Sequence, residues 1–123
     1  MPWRVDISPE ASLVETTYSG VLTPSELSDA VRETLRVAET SGLKRFLADC
    51  TSLEGGHSIL DLYALVDSIA KDATGVDKEA VLLPTLPAPA QDVRFWETAC
   101  FNRGLNVRVF VDRESAREWL LSP

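Results

Sequence analysis

The residues of this chain whose types could do chemistry are concentrated in one short stretch, where a mostly apolar run ends and a small, polar segment begins. The candidate binding residues of this stretch are Asp49, Thr51, Ser52, Gly55, Gly56, His57 and Ser58. Together they offer a carboxylate, hydroxyls, an imidazole and a glycine pair, which are groups used in nucleophilic catalysis and in loops that bind phosphate. In an open α/β sheet, ligands bind beyond the carboxyl ends of the strands, so we expect activity at this loop.

No complete catalytic set can be assembled from these residues. Asp49 with Cys50, Thr51 and Ser52 resembles part of a nucleophile set, but the chain has no G-x-S-x-G elbow and His57 is its only histidine. A zinc site lacks paired ligands at a suitable spacing, and the pair Gly55-Gly56 is not accompanied by a Walker-type lysine. We therefore expect no catalytic residue, no metal and no cofactor, and we rank an enzyme below a binding module.

Ser58 has two interpretations. With Asp61 three residues later, it reads first as the N-cap of a helix. It is also a possible phosphoacceptor, because a phosphate there would face the free amides and the positive dipole end of that helix. The capping role is the favoured interpretation.

Composition sets the broad class. With 123 residues the chain is long enough for one domain, 1–123, with one core. The formal charge of −7 disfavours nucleic acid and anionic membrane as partners, and no apolar run approaches the roughly 18 residues of a membrane span. The N-terminus carries no signal-peptide core, which predicts a cytoplasmic protein. Cys50 and Cys100 predict two buried thiols and no disulfide.

The first half of the chain predicts a hairpin followed by a helix. Trp3, Val5 and Ile7 alternate with polar residues, as in a half-buried strand, and a turn over 8–11 leads to a second, antiparallel strand over 13–18. Gly20 is expected to end this hairpin. The run Thr23-Pro24-Ser25-Glu26 is a capping box, and it predicts a helix that Gly42 stops.

The second half predicts alternating strands and helices. The expected elements are a strand over 44–49, a helix over 59–71 closed by Gly75, a strand over 79–83, an extended proline connector over 84–89, a helix from Ala90 to Gly104, a strand over 105–111 and a short helix capped by Asp112. Val107, Val109 and Val111 should face the helices, and the other face of the sheet should be only partly covered. Right-handed crossovers then give an α/β fold, ββαβαβαβα, with a mixed, mostly parallel five-stranded sheet and an antiparallel first strand.

This pattern resembles the SpoIIAA-like fold, which includes the STAS domains of anti-sigma-factor antagonists. The resemblance covers nearly the whole chain and rests on the order of elements, on the strand that ends in Asp49 before small residues, and on two motifs. The motifs are the helix entry Gly20, Leu22, Thr23, Glu26 and Leu27, and the closing run Gly104, Val107, Arg108, Val109, Phe110, Asp112, Ala116, Trp119 and Leu120.

The resemblance implies a regulatory or protein-interaction module without catalysis of its own. STAS domains bind partner proteins and are switched by phosphorylation at the start of the helix after the Asp-containing strand, a position that Ser58 matches. The family has Asp-Ser-Ser-Gly there, whereas this chain has Gly56-His57-Ser58-Ile59. The fold also resembles that of a lipid-carrier family, which implies an apolar ligand.

Three functions are thus expected in order. The first is a non-enzymatic interaction module that binds a protein partner or itself, as a homodimer through the thinly covered sheet face or a sheet edge. The second is a protein that binds a small apolar or amphipathic ligand near residues 51–58 and the proline segment. An enzyme ranks third.

Overall fold

The computed structural model describes residues 2–8, 12–56, 58–72 and 76–123. Their elements, in chain order, are β1 (Trp3–Ser8), β2 (Leu13–Val21), α1 (Pro24–Ser41), β3 (Arg45–Gly55), α2 (Ile59–Asp72), β4 (Lys78–Leu82), α3 (Pro87–Asn102), β5 (Val107–Phe110) and α4 (Arg113–Leu121). The element order matches the ββαβαβαβα pattern expected from the sequence. The turn expected over 8–11 falls mostly outside the described residues, and so does the helix stop expected at Gly75.

The strands form one five-stranded sheet in the order β1-β2-β3-β4-β5. β1 pairs with β2 in antiparallel orientation, and β2 to β5 are parallel to one another. The predicted fold class, with its antiparallel first strand, is confirmed. β3 and β4 are paired on both sides, as their nearly continuous apolar sequences indicate.

Three helices cover one face of this sheet and a single helix packs on the other. α1, α2 and α3 connect successive parallel strands, and each connection steps in the same direction across the sheet. One common handedness of crossover places all three helices on the same face, which we call the three-helix face. α4 packs on β3, β4 and β5 from the opposite side, which we call the α4 face. On that face Arg4 and Asp6 of β1 remain exposed, so its cover is partial.

Each face has its own apolar core. Buried residues of the three-helix face include Tyr18, Leu22, Ala30, Ala48, Cys50, Val81 and Val93. Those of the α4 face are Leu13, Leu47, Ala80, Leu82, Ala116 and Leu120. The alternation of side chains along β3 explains the division, because Leu47 and Ala48 are neighbours that point to opposite faces.

The ends of α1 follow from local sequence. The Thr23 hydroxyl accepts a hydrogen bond from the Glu26 amide at 3.1 Å, and the Glu26 carboxylate accepts one from the Thr23 amide at 2.9 Å. Gly42 closes the helix in the left-handed conformation at φ 71°. The predicted capping box and the predicted stop are both confirmed.

Two predicted strand ends are wrong. β2 continues past Gly20 to Val21, and β3 continues past Asp49 to Gly55. The reason is mutual pairing, since Ser52, Leu53 and Gly55 of β3 lie opposite the last three residues of β2. Hydrogen bonds between the two strands override the weak strand preference of their small and polar residues.

The proline segment also differs from its prediction. α3 begins at Pro87, so Pro87 and Pro89 lie in its first turn instead of an extended connector. Backbone amides of a first turn have no partner inside the helix, and proline can therefore stand there without loss. Val107 and Val109 face the helices as expected, whereas Val111 lies beyond β5 and is 80% exposed.

Candidate functional site

Thr51, which was expected in a loop, lies on β3 together with Asp49. The Asp49 carboxylate accepts hydrogen bonds from the Thr51 amide at 3.0 Å and from the Thr51 hydroxyl at 2.7 Å. Its other oxygen accepts a hydrogen bond from Arg113, the first residue of α4, at 2.9 Å. Arg113 also pairs with Glu15 of β2 at 3.1 Å. This cluster ties the start of α4 to two strands.

The environment of Asp49 keeps it ionised. Partial burial acts to raise the pKa of the carboxyl, but the two hydrogen bonds from Thr51 and the charge of Arg113 outweigh it, and the net pKa is lowered. A carboxylate held in this way is an acceptor for neighbouring donors. The geometry therefore gives Asp49 the structural role of binding local amides and hydroxyls.

The next residues of the predicted loop form a tight backbone crossing. Ser52 is exposed on β3. The Leu22 amide donates to the Gly55 carbonyl at 2.9 Å, and Gly55 and Gly56 have φ values of 131° and 103°. A Cβ atom on Gly56 would lie 2.1 Å from the Leu22 carbonyl oxygen. The glycines thus permit the end of β3 to pass close to the entry of α1, and His57 lies outside the described residues.

Ser58 caps α2 as the sequence predicts. Its amide donates to the Asp61 carboxylate at 2.7 Å, and the Asp61 amide donates to the Ser58 hydroxyl at 3.1 Å. The hydroxyl itself donates to the same carboxylate at 2.8 Å. Phosphorylation of Ser58 stays a prediction. Among the described residues, Asp49 is hydrogen-bonded to Thr51 and Arg113, and Ser58 to Asp61, so no hydrogen bond links Asp49 to Ser58.

A cavity of about 100 Å³ lies on the three-helix face, between the helices and the sheet. Apolar side chains from all three helices and three of the strands line it, among them Leu27, Leu62, Val93, Ala48, Val81 and Val107. The cavity is not where the ligand site was expected. Among residues 51–58, Leu53 lines it, while Asp49 faces the opposite side of β3.

Few polar groups interrupt this apolar wall. The Thr16 and Thr34 hydroxyls are 2.6 Å apart, and Thr34 donates to the Ala30 carbonyl at 2.7 Å. Since each hydroxyl has one hydrogen, Thr16 must donate to Thr34, and both donors of the pair are used. The Glu79 carboxyl accepts a hydrogen bond from the Trp96 indole at 3.1 Å.

Two titratable groups of the wall have shifted pKa values. Burial raises the pKa of Glu79, and the hydrogen bond from Trp96 offsets only part of the shift. Burial, followed by the nearby Cys50 and Glu79, raises the pKa of the Tyr18 hydroxyl well above its ordinary value. Tyr18 is therefore a neutral phenol at any physiological pH, and it can both donate and accept a hydrogen bond.

Sequence reasoning missed Tyr18 and Glu79. One signal was available for Glu79, because this acid directly precedes the apolar run Ala80-Val81-Leu82 of β4 and is therefore expected to be at least partly buried. Tyr18 follows Val14 and Thr16 on one face of β2, but nothing in this spacing distinguishes it from a core residue. That both line one cavity depends on strand order, which local patterns do not specify.

The described part of the chain contains no group of three or more His, Cys, Asp or Glu side chains placed to hold a metal ion. None of the helices in that part has both the length and the apolar composition needed to cross a membrane. Cys50 and Cys100 are buried free thiols, as expected.

Comparison with solved structures decides the fold. The crystal structure of an uncharacterised protein of the DUF3478 family from Shewanella loihica PV-4, described as having a SpoIIAA-like fold, superimposes with a TM-score of 0.63. The match covers 96% of this chain and 91% of that one, at 17% sequence identity. This chain has a SpoIIAA-like fold. No family model and no curated protein matches it.

Within the SpoIIAA-like fold of this chain, β3 separates two sites of different character. Asp49 and Cys50 are adjacent, yet the first joins an ion-pair cluster on the α4 face and the second lines the cavity. The charges of the polar cluster are paired with one another. The cavity is a separate void on the other face of β3.

Proposed function

We propose that this SpoIIAA-like protein binds a small, largely apolar molecule in the cavity between its three helices and its sheet. The observation that supports the proposal is a void of about 100 Å³ walled by apolar side chains. Protein interiors are close-packed and rarely keep voids larger than a water molecule. An engineered apolar cavity of about 150 Å³ stays dry and binds benzene, so a void of this order can take a small ring.

Benzene is the probe that tests this proposal. Ala48 lines the cavity, so Ala48→Leu should fill it, whereas Ala88→Leu adds the same atoms at an exposed position in the first turn of α3. We expect benzene to raise the Tm of the wild type and of A88L, and to shift the methyl resonances of Val81 and Val93. The response of A48L should be much smaller, because ligand stabilisation vanishes with the site.

A wild-type protein whose Tm and methyl resonances do not respond to saturating benzene would contradict the proposal. The cavity would then be a packing void without a ligand. Circular dichroism of A48L shows whether that variant is folded. If it is not, the milder Ala48→Val provides the same comparison.

Exposed apolar side chains support a second candidate, self-association. Val21 ends β2, Leu60 opens α2 after β3, Leu86 precedes α3, and Val111 follows β5. All four are exposed. Because β2 to β5 are parallel, these positions all lie beyond the C-terminal ends of the strands, at one end of the sheet. A second copy of the chain that docks at this end would cover them. This candidate corresponds to the interaction module that the resemblance implies.

Sedimentation velocity of the full chain tests the second candidate. We expect a concentration-dependent dimer for the wild type and a monomer for the double variant Leu60→Asp, Val111→Asp. Phe101→Asp is the matched control, because Phe101 is exposed near the other end of α3, away from this end of the sheet. A wild type that stays monomeric at high concentration would rule out the dimer.

A further inference from the structure

The polar groups of the cavity wall define what kind of head group a ligand can carry. Thr16 donates to Thr34 and Thr34 donates to the Ala30 carbonyl, so neither hydroxyl has a proton to offer a ligand. Tyr18 and Glu79 are two further polar groups of the wall.

Tyr18 has a buried hydroxyl to which no described residue is a hydrogen-bond partner. Its side chain lines the cavity and is only 7% exposed. Among the residues that the structure describes, none hydrogen-bonds to the Tyr18 hydroxyl. Buried polar groups are nearly always hydrogen-bonded, and each exception needs an explanation. A ligand with its own hydroxyl would supply the missing partner.

Glu79 determines which charge the cavity excludes. Its carboxyl accepts one hydrogen bond, from Trp96. The described residues that line the cavity include no lysine or arginine. A carboxylate ligand would lose its hydration beside the Glu79 carboxyl, which is unfavourable in a weakly solvated site.

We propose that the cavity selects a small apolar alcohol or phenol, whose hydroxyl pairs with Tyr18, over the bare hydrocarbon and over a carboxylate of similar size. This inference rests on the proposed binding function. It adds the head-group chemistry of the ligand. Tyr18 supplies the donor and acceptor, and Glu79 supplies the selection against anions.

The test compares phenol, benzene and benzoate by NMR titration of the full chain. One hydrogen bond that also satisfies a buried group should make phenol bind about tenfold more tightly than benzene, and benzoate should not bind measurably. In Tyr18→Phe the advantage of phenol over benzene should largely disappear. Tyr63→Phe removes the only other tyrosine hydroxyl, from the exposed side of α2, and should change nothing.

Glu79→Gln separates the two roles in the cavity. The amide keeps an acceptor for Trp96 and removes the charge, so benzoate should begin to bind while benzene is unaffected. Equal affinities of phenol and benzene in both the wild type and Y18F, or tight binding of benzoate to the wild type, would overturn this inference and leave apolar binding intact. Failure of all three ligands to bind the wild type would overturn the proposed function itself.

Discussion

At the scale of single residues, Gly56 holds the position least tolerant of a side chain. Its φ of 103° is in a region that favours glycine, and an added Cβ would lie 2.1 Å from the Leu22 carbonyl oxygen. Backbone cannot move aside as a flexible side chain can. We expect Gly56→Ala to lower the free energy of unfolding by about 3 kcal/mol, from strain and displacement together.

Gly42→Ala is the matched control for that prediction. Gly42 also has a positive φ, 71°, but an added Cβ there meets nothing within 4 Å. Its cost should be about 1 kcal/mol, from the left-handed conformation alone. Urea unfolding of both variants measures the difference, and equal losses would show that the close approach to Leu22 does not matter.

The raised pKa of Glu79 predicts that the stability of the protein depends on pH. Burial raises its pKa in the folded protein, so the folded state holds the proton over a range of pH in which the unfolded state has released it. The contribution of Glu79 to the free energy of unfolding is therefore largest below the ordinary pKa of a glutamate. This contribution decreases as pH rises through the pKa of Glu79 in the folded protein. Gln does not titrate. We expect Glu79→Gln to become more stable relative to the wild type as pH increases from about 4 to about 8.

Thermal unfolding across that pH range measures the effect. The exposed residue Glu118 provides a control, because Glu118→Gln removes the same charge from the surface of α4. Its Tm should follow the wild type. A constant difference between E79Q and the wild type at every pH would show that Glu79 does not change protonation in this window.

The residues that sequence reasoning placed correctly are those whose partners are local. The capping pairs Thr23 with Glu26 and Ser58 with Asp61 are three residues apart, so spacing alone predicts them. Tyr18 and Glu79 are sixty-one positions apart along the chain. Both line one cavity only because α1 and α2 carry the chain across the sheet, which no local sequence pattern predicts.

At the scale of elements, Lys78 fastens α4 to the sheet. Its side chain is buried, and its ammonium donates to the Trp119 carbonyl at 2.8 Å and to the carbonyl and hydroxyl of Ser122 at 2.9 and 2.8 Å. These acceptors are at the C-terminus of α4, where a cation is also favoured by the helix dipole.

Lys78→Met keeps an apolar chain of similar length and removes the donor. We expect it to lower the free energy of unfolding by about 3 kcal/mol, because the carbonyls at the end of α4 lose a charged partner. Hydrogen exchange should accelerate in α4 before the sheet. The exposed Lys44, changed to Met, should leave both measurements at wild-type values. Uniform exchange changes in K78M would mean that α4 does not open by itself.

Element boundaries were the least predictable feature of the fold. The second half of β3 is polar and contains Gly55, so its own sequence favours a loop, and pairing with β2 makes it a strand. Pro87 and Pro89 similarly favour an extended segment, but both lie in the first turn of α3, where proline is tolerated. In each case tertiary contact or the adjacent element decided the outcome, and propensity did not.

At the scale of the whole molecule, the architecture was predictable because the connections leave few alternatives. A short link requires β1 and β2 to be antiparallel, and helical crossovers require β2 to β5 to be parallel. The cavity was not predictable. It depends on how three helices fit one sheet face, which is a matter of side-chain volumes and not of pattern.

The same void has a mechanical consequence. Hydrostatic pressure favours whichever state occupies less volume, and unfolding allows water into internal voids, with volume decreases of about 20 to 100 mL/mol in small proteins. A core with an unfilled space of about 100 Å³ should therefore unfold at moderate pressure. Ala48→Leu should reduce the volume change measured by high-pressure fluorescence, and Ala88→Leu should not. The domain is thus expected to be compressible on its three-helix side and stiff beneath α4.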